Sequence, residues 1–292
     1  MNISTKLLQA AAGSAGGAGL DVDEVFSTFL FTGTGSGTST IANGIDLSGE
    51  GGLVWIKSRT GTSGEPHFLV DTERGGSSVL QSNSTAAPSN FIGSPNFLSN
   101  GFSGTSNIND AQDYASWTFR KAPKFFDVVT YTGNGVAGRT VSHSLGSVPG
   151  MIIVKKTNSS EFWYVAHRSI NADEVLYLNS TSAKATQSAY FNGDRPTDSV
   201  FTLGNSTATN GNGATYVAYL FAHNNNDGEF GPDSDQDIIK CGSYTGNSTI
   251  GHTINLGFEA QWVLVRSTSN LRKWMLYDVM RGMPVDGNGA AL

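Results

Sequence analysis

The chain has 292 residues and a formal net charge of −6, with 36 glycines and only 14 % charged residues, against the ~7 % Gly and ~25 % charged residues of an ordinary globular protein. This balance supplies no basic field to draw in nucleic acid, and the single cysteine, Cys241, excludes an intrachain disulfide framework and zinc-finger spacing alike. No segment approaches the ~20 apolar residues of a membrane span.

In chain order, the first element is a helix-capable stretch from Thr5 to Ala12, followed by the flexible spacer Gly13-Ser14-Ala15-Gly16-Gly17-Ala18-Gly19. Leu7-Leu8 is too short an apolar core for a signal peptide. Two readings compete. One is a disordered tail; the other is an anchor in which Thr5, Lys6, Leu7, Leu8 and Gln9 dock on a neighbouring protein while the tether absorbs a symmetry mismatch.

After it the chain repeats itself. Phe31-Thr32-Gly33, Tyr131-Thr132-Gly133 and Tyr244-Thr245-Gly246 recur 100 and then 113 residues on, each after a short apolar strand. That period suits whole domains rather than solenoid units. Next come Gly52-Leu53-Val54-Trp55-Ile56-Lys57, Gly150-Met151-Ile152-Ile153-Val154-Lys155 and Gln261-Trp262-Val263-Leu264-Val265-Arg266, continuous apolar runs that read as central strands buried on both faces. A second strand follows: His67-Phe68-Leu69-Val70-Asp71, Phe162-Trp163-Tyr164-Val165-Ala166 and Trp274-Met275-Leu276-Tyr277-Asp278, which sets Ala166 against Asp71. Copies one and three add Asp71-Thr72-Glu73-Arg74-Gly75 and Asp278-Val279-Met280-Arg281-Gly282, where copy two has His167-Arg168. Copies one and two close on Tyr114-Ala115-Ser116-Trp117-Thr118-Phe119 and Tyr216-Val217-Ala218-Tyr219-Leu220-Phe221, read as strands with their aromatic residues on one face.

The third copy does not reach such a strand. Half a sandwich leaves a core face open and strand edges unpaired, so the expectation is that a longer chain or a partner completes it. The division is 1–22 for anchor and tether, 23–122 and 123–225 for two β-sandwich repeats, and 226–292 for a linker and the first half of a third. The fold class is all-β: tandem antiparallel β-sandwiches of jelly-roll or immunoglobulin-like type.

Candidate chemistry is sparse. Asp71 and Glu73 stand two apart on a strand, the spacing a glycoside hydrolase could use, but the second copy carries Ala166 and Arg168 there, and Asp71 with Arg74, like Asp278 with Arg281, reads more simply as an ion pair at a strand end. His67, His143, His167, His223 and His252 lie in different segments without ligand spacing. The acidic turns Asn224–Glu229 and Asp233–Asp237 could hold calcium through oxygens, but read better as a polar linker. Arg120-Lys121-Ala122-Pro123-Lys124 reads as a solvated junction rather than a phosphate patch. Cys241, in the strand Ile238-Ile239-Lys240-Cys241-Gly242, reads as a small core residue. No catalytic residue, metal ligand or cofactor is expected, and the ligand-binding residues are not legible.

A set of strings carries a resemblance: Ser4-Thr5-Lys6-Leu7-Leu8 with its Ala/Gly run, Asp23-Glu24-Val25-Phe26-Ser27-Thr28, Gly52-Leu53-Val54-Trp55-Ile56-Lys57, Trp117-Thr118-Phe119-Arg120-Lys121-Ala122-Pro123-Lys124-Phe125-Phe126, and Tyr216 to His223. Over nearly its whole length the chain resembles repetitive virion structural proteins of marine tailed bacteriophages, such as cyanophages, whose tandem β domains are of unknown function. The resemblance implies a tail fibre or appendage on the phage particle, non-enzymatic and without cofactor. Its β domains would project toward the host surface for attachment, with avidity from many copies. A homotrimer is expected, fixed to tail or adaptor proteins through the N-terminus, with host surface glycan as a partner and neither nucleic acid nor membrane insertion. The alternatives are a head-decoration or capsid fibre protein and, behind it, a host-glycan depolymerase.

Overall fold

The computed structural model describes residues 19–61, 66–90, 95–105 and 108–283. The expected anchor residues Thr5, Lys6, Leu7, Leu8 and Gln9 lie outside them. The described chain is all-β, with antiparallel sheets and single α-helical turns such as Val22–Val25.

Unit 1 comprises β1 (Phe26–Thr32), β2 (Thr38–Ala42), β3 (Gly52–Ser58), β4 (His67–Asp71), β5 (Ser78–Gln81), β6 (Ser89–Asn90), β7 (Phe97–Leu98), β8 (Gly101–Thr105) and β9 (Asp113–Arg120). Six of these form a sheet in the order β1-β9-β3-β4-β5-β6, faced by the smaller sheet β2-β8-β7. Unit 2 repeats the plan with β10 (Phe126–Thr132), β11 (Arg139–Ser142), β12 (Met151–Lys156), β13 (Trp163–His167), β14 (Glu174–Tyr177), β15 (Ala185–Thr186), β16 (Val200–Leu203) and β17 (Thr215–Phe221). Its large sheet runs β10-β17-β12-β13-β14-β15 and its small one β11-β16. Unit 3 contributes β18 (Trp262–Val265) and β19 (Met275–Asp278), a two-stranded ladder.

Period-two alternation decides what each large sheet buries. On β3, Val54 and Ile56 point into unit 1's own sandwich with Ile41 and Phe102 of the small sheet. On β12, Ile152 and Val154 point into unit 2's, with Val141 and Phe201. The opposite faces carry Leu53, Trp55, Trp117 and Phe119 from unit 1 and Met151, Ile153, Trp163, Tyr219 and Phe221 from unit 2, and these form one common core, against which Trp262, Leu264, Trp274 and Leu276 of unit 3 pack. The central strands are therefore buried on both faces, as their apolar runs imply. The second face, however, is covered by the other units. The three copies are joined through one core rather than strung as separate modules.

Three further expectations are corrected. Tyr114 does not share a face with Trp117 and Phe119: three residues apart on a strand means opposite faces, so Tyr114 enters the unit 1 sandwich while the other two enter the common core. The second-strand alignment shifts by one, because Leu53 pairs with Asp71 but Met151 pairs with His167; His167, not Ala166, holds the place of Asp71. Trp262 pairs with Asp278 in the same register. Finally, Ile238–Gly242 is not a strand. Its counterparts β1 and β10 are ordered by pairing with β9 and β17, and unit 3 has no strand in that position among the described residues.

The repeated Gly of the Thr-Gly turn has a packing cause. A Cβ at Gly33 would stand 1.9 Å from the Asp110 carbonyl oxygen, and one at Gly133 2.2 Å from that of Gly211. Each turn is strapped by a buried Asn: Asn109 Oδ1 accepts from the Thr34 N–H at 2.9 Å, and Asn210 Oδ1 from the Asn134 N–H at 3.0 Å.

The unit junctions combine surface ion pairs with one buried aromatic residue. Arg120, Lys121 and Lys124 pair with Glu50, Glu73 and Glu229 at 3.3, 2.7 and 2.6 Å. In the acidic linker, Phe230 is buried and packs edge-on against Phe125 at 6.2 Å.

Candidate functional site

The side chains with chemical capability gather where the three units meet. β4 ends at Asp71, and the turn that follows brings Arg74 back: its backbone N–H donates to Asp71 Oδ1 at 2.9 Å and its Nε to Oδ2 at 2.7 Å. The same Oδ2 accepts from the Tyr219 hydroxyl of unit 2 at 2.7 Å, while Arg74 Nη2 donates to that hydroxyl oxygen at 3.2 Å. Asp71 and Tyr219 are both fully buried. Burial holds the Tyr219 phenol well above its ordinary range, and it is a neutral donor. A buried carboxylate facing a guanidinium and a phenol is a closed charge pair, and this one ties unit 1 to unit 2.

Unit 3 uses the same device on unit 1. The Arg281 N–H donates to Asp278 Oδ1 at 2.9 Å, its Nε donates to Oδ2, and the guanidinium lies 4.8 Å from the centre of the Trp117 ring. Trp117 Nε1 donates to Asp278 Oδ2 at 3.2 Å. Trp117 and Tyr219 occupy equivalent places on β9 and β17, since Trp55 pairs with Trp117 as Ile153 pairs with Tyr219. Trp117 also stacks on His67, whose Nδ1 accepts from Trp55 Nε1 at 3.1 Å. Burial first, then the Lys57 and Arg281 cations, push the His67 pKa down to about 4. In unit 2 His167 stands where Asp71 and Asp278 stand, and burial, with Arg168 and Arg195 nearby, lowers its pKa to about 4.

A second series of contacts runs the other way round. Trp163 Nε1 of unit 2 donates to the Gln81 and Ser84 carbonyls of unit 1 at 3.0 and 3.1 Å, and Trp274 Nε1 of unit 3 donates to the Tyr177 carbonyl of unit 2 at 2.8 Å. Lys155, buried throughout its length, donates to the Thr85 carbonyl at 3.2 Å, and its equivalent Arg266 donates to the Ser182 carbonyl. Burial lowers the Lys155 pKa to about 8. Every pair of units is thus in contact, so the three close on one another.

Of the residues singled out in the sequence, Asp71 and Arg74, and Asp278 and Arg281, do form ion pairs at strand ends. Asp71 and Glu73 do not converge on an open site: Asp71 is sealed by Arg74 and Tyr219, and Glu73 pairs with Lys121 at the surface. Cys241 is buried, its thiol donating to the Ala222 carbonyl at 3.3 Å and pushed up to about 12 by burial. Among the described residues no three His, Cys, Asp or Glu side chains converge as metal ligands. A cavity of about 260 Å³ opens at one end of unit 2 beside His167, Arg168, Asp194 and Arg195, below the ~300–1,000 Å³ of usual ligand pockets. Two of its polar groups are engaged, since Arg195 donates to the His167 and Ile170 carbonyls.

Sequence reasoning missed the partners of the ion pairs, Tyr219 and Trp117, and the roles of Lys155, Trp163 and Trp274. Their signal was available: an aromatic at the same place in both closing strands, and an Asp-x-x-Arg in two copies of three.

A family model described as Domain of unknown function (DUF7483) matches residues 21–288. No curated protein and no solved structure matches the chain.

Proposed function

Since the chain belongs to the DUF7483 family, whose description assigns no activity, we propose that it is a structural virion protein of a tailed bacteriophage, a tail fibre or comparable appendage that presents β units to the host surface. One observation carries the reading. The groups able to do chemistry, Asp71, Arg74, Tyr219, Asp278, Arg281 and Lys155, are turned inward and engaged with another unit. A chain whose buried charge locks like units together suits mechanical presentation. The resemblance of its repeated strings to virion proteins supports the same reading, with the N-terminal segment as attachment, a homotrimer as the assembled state and host glycan met by outer loops through many weak contacts. The closed packing of the three units, in place of an extended string, favours a head-decoration protein as the second reading.

Immunogold electron microscopy of purified particles, with antibody raised against this chain, tests the proposal. Label along the tail supports an appendage, label on the head selects the second reading, and unlabelled particles overturn the virion assignment.

A further inference from the structure

Where units 1 and 2 part, the face that joins them changes chemistry. Along β10, Phe126 and Val128 enter the common core, and the next residues on that face are Thr130 and Thr132; along β17, Phe221, Tyr219 and Val217 enter it, and the next is Thr215. Thr130, Thr132 and Thr215 are exposed, and Thr132 stands opposite Thr215 in the ladder. Just past β12, Thr157 adds a fourth hydroxyl, its Oγ1 2.7 Å from that of Thr215. An apolar face thus ends in a row of threonines.

Unit 1 faces this row. Ser78 on β5 pairs with Asn90 on β6, and between them and the threonines lies a cleft of about 670 Å³, within the ~300–1,000 Å³ of usual ligand sites. Hydroxyl and amide groups border it, each able both to donate and to accept. Arg74 is the cation in its wall, and that guanidinium is engaged with Asp71, the Ser78 carbonyl and the Tyr219 hydroxyl. The neighbouring phenols of Tyr131 and Tyr216 donate to the Thr209 and Thr207 carbonyls of their own unit. Among the described residues no carboxylate borders the cleft. A charged ligand would give up its hydration there without meeting an opposite free charge, and an apolar one would strip water from the hydroxyls. An uncharged ligand rich in hydroxyls meets neither penalty.

We infer that this cleft binds an uncharged oligosaccharide, whose hydroxyls exchange hydrogen bonds with Thr130, Thr132 and Thr215 on one wall and with Ser78 and Asn90 on the other. The inference rests on the host-glycan reading above and gives that contact a place and a chemical class. The two walls belong to different units, so the site exists only in the joined fold. Hydrogen bonds between neutral groups at an open cleft are individually weak, which suits attachment through many copies.

Calorimetric titration of the full chain tests it, with dextran, mannan and chitin oligosaccharides as neutral probes and alginate oligosaccharides as the acidic one. Expected are saturable binding of a neutral probe, none of alginate, and slowed amide exchange at 128–132, 215–217 and 78–81 when the neutral probe is bound. Thr132→Val combined with Thr215→Val removes two exposed hydroxyls and keeps the β-branched shape. It is expected to weaken binding about tenfold with the melting temperature unaltered. Thr130→Trp, which fills the cleft from an exposed position, is expected to abolish binding. Parent-like affinity in these variants overturns the inference by placing the ligand elsewhere; so does preference for alginate, or failure of every neutral probe to bind. The virion reading is judged separately by the immunogold label: labelled particles with a chain that binds no glycan sink the inference alone, and unlabelled particles with a chain that binds one sink the virion reading alone.

Discussion

His67, at the junction, and His167, at the equivalent place in unit 2, are the residues whose charge state the fold controls most plainly. Each is packed among cations, Lys57 and Arg281 for the first, Arg168 and Arg195 for the second, and each has its pKa lowered from 6.5 to about 4. The unfolded chain therefore binds these protons first. Stability is fully present above pH 6.5 and is lost as the pH falls toward 4. A tenfold change in proton affinity is worth ~1.4 kcal/mol; after discounting for residual exposure, the loss is of order 2 kcal/mol for each imidazole. The melting temperature is expected to fall between pH 6.5 and pH 4.5, and to fall less in the double variant His67→Gln, His167→Gln, in which the glutamine amide carbonyl still offers Trp55 an acceptor. Equal falls in both proteins would show that other groups govern the acid limb.

At the scale of elements, the Thr-Gly turn controls whether a large sheet can close. Gly133→Ala drives a methyl group into the Gly211 carbonyl, and shifting a strapped loop to relieve it costs ~1–3 kcal/mol. Thermal unfolding should show a melting temperature lowered by several degrees for Gly133→Ala and unchanged for Gly246→Ala, whose Cβ meets nothing within 4 Å; equal effects would show that the turn's backbone, not the strap, is what Gly serves. The elements also show what the sequence could and could not convey. Apolar runs such as Ile152-Ile153-Val154 are local signals, and they mark the central strands β3, β12 and β18 correctly. Asp71 with Arg74 was legible too, because an i, i+3 ion pair is a local contact. The register of β13 was not local: pairing across the sheet alone fixes His167 opposite Met151. Ile238–Gly242 has strand composition but lacks its ladder neighbour, and a strand's state depends on what lies beside it. Nor could periodicity say that Trp55, Trp117 and Tyr219 face another unit, since burial looks the same from either side.

On the scale of the whole molecule, this common core makes the units interdependent. Trp117, Trp163 and Tyr219 are wholly buried in it, and each large apolar side chain so buried contributes ~1.5–3 kcal/mol that an isolated unit would forfeit. Asp71 lies in unit 1 while the hydroxyl it accepts from lies in unit 2, so damage at the contact is shared. Arg74→Met leaves a buried carboxylate without its cation, at a cost of ~3–5 kcal/mol, whereas Tyr219→Phe removes the short hydrogen bond to Asp71, at ~1.5–3 kcal/mol, together with the longer one accepted from Arg74. Unfolding in urea, followed by amide exchange, should show β4 and β17 losing protection at one midpoint in the parent chain, with both shifted down together by either substitution and further by Arg74→Met. Modules that merely follow one another would respond differently, with β4 weakened by Arg74→Met while β17 kept its midpoint. The joint response follows from geometry: a charge pair sealed across a boundary cannot be opened from one side without exposing the other.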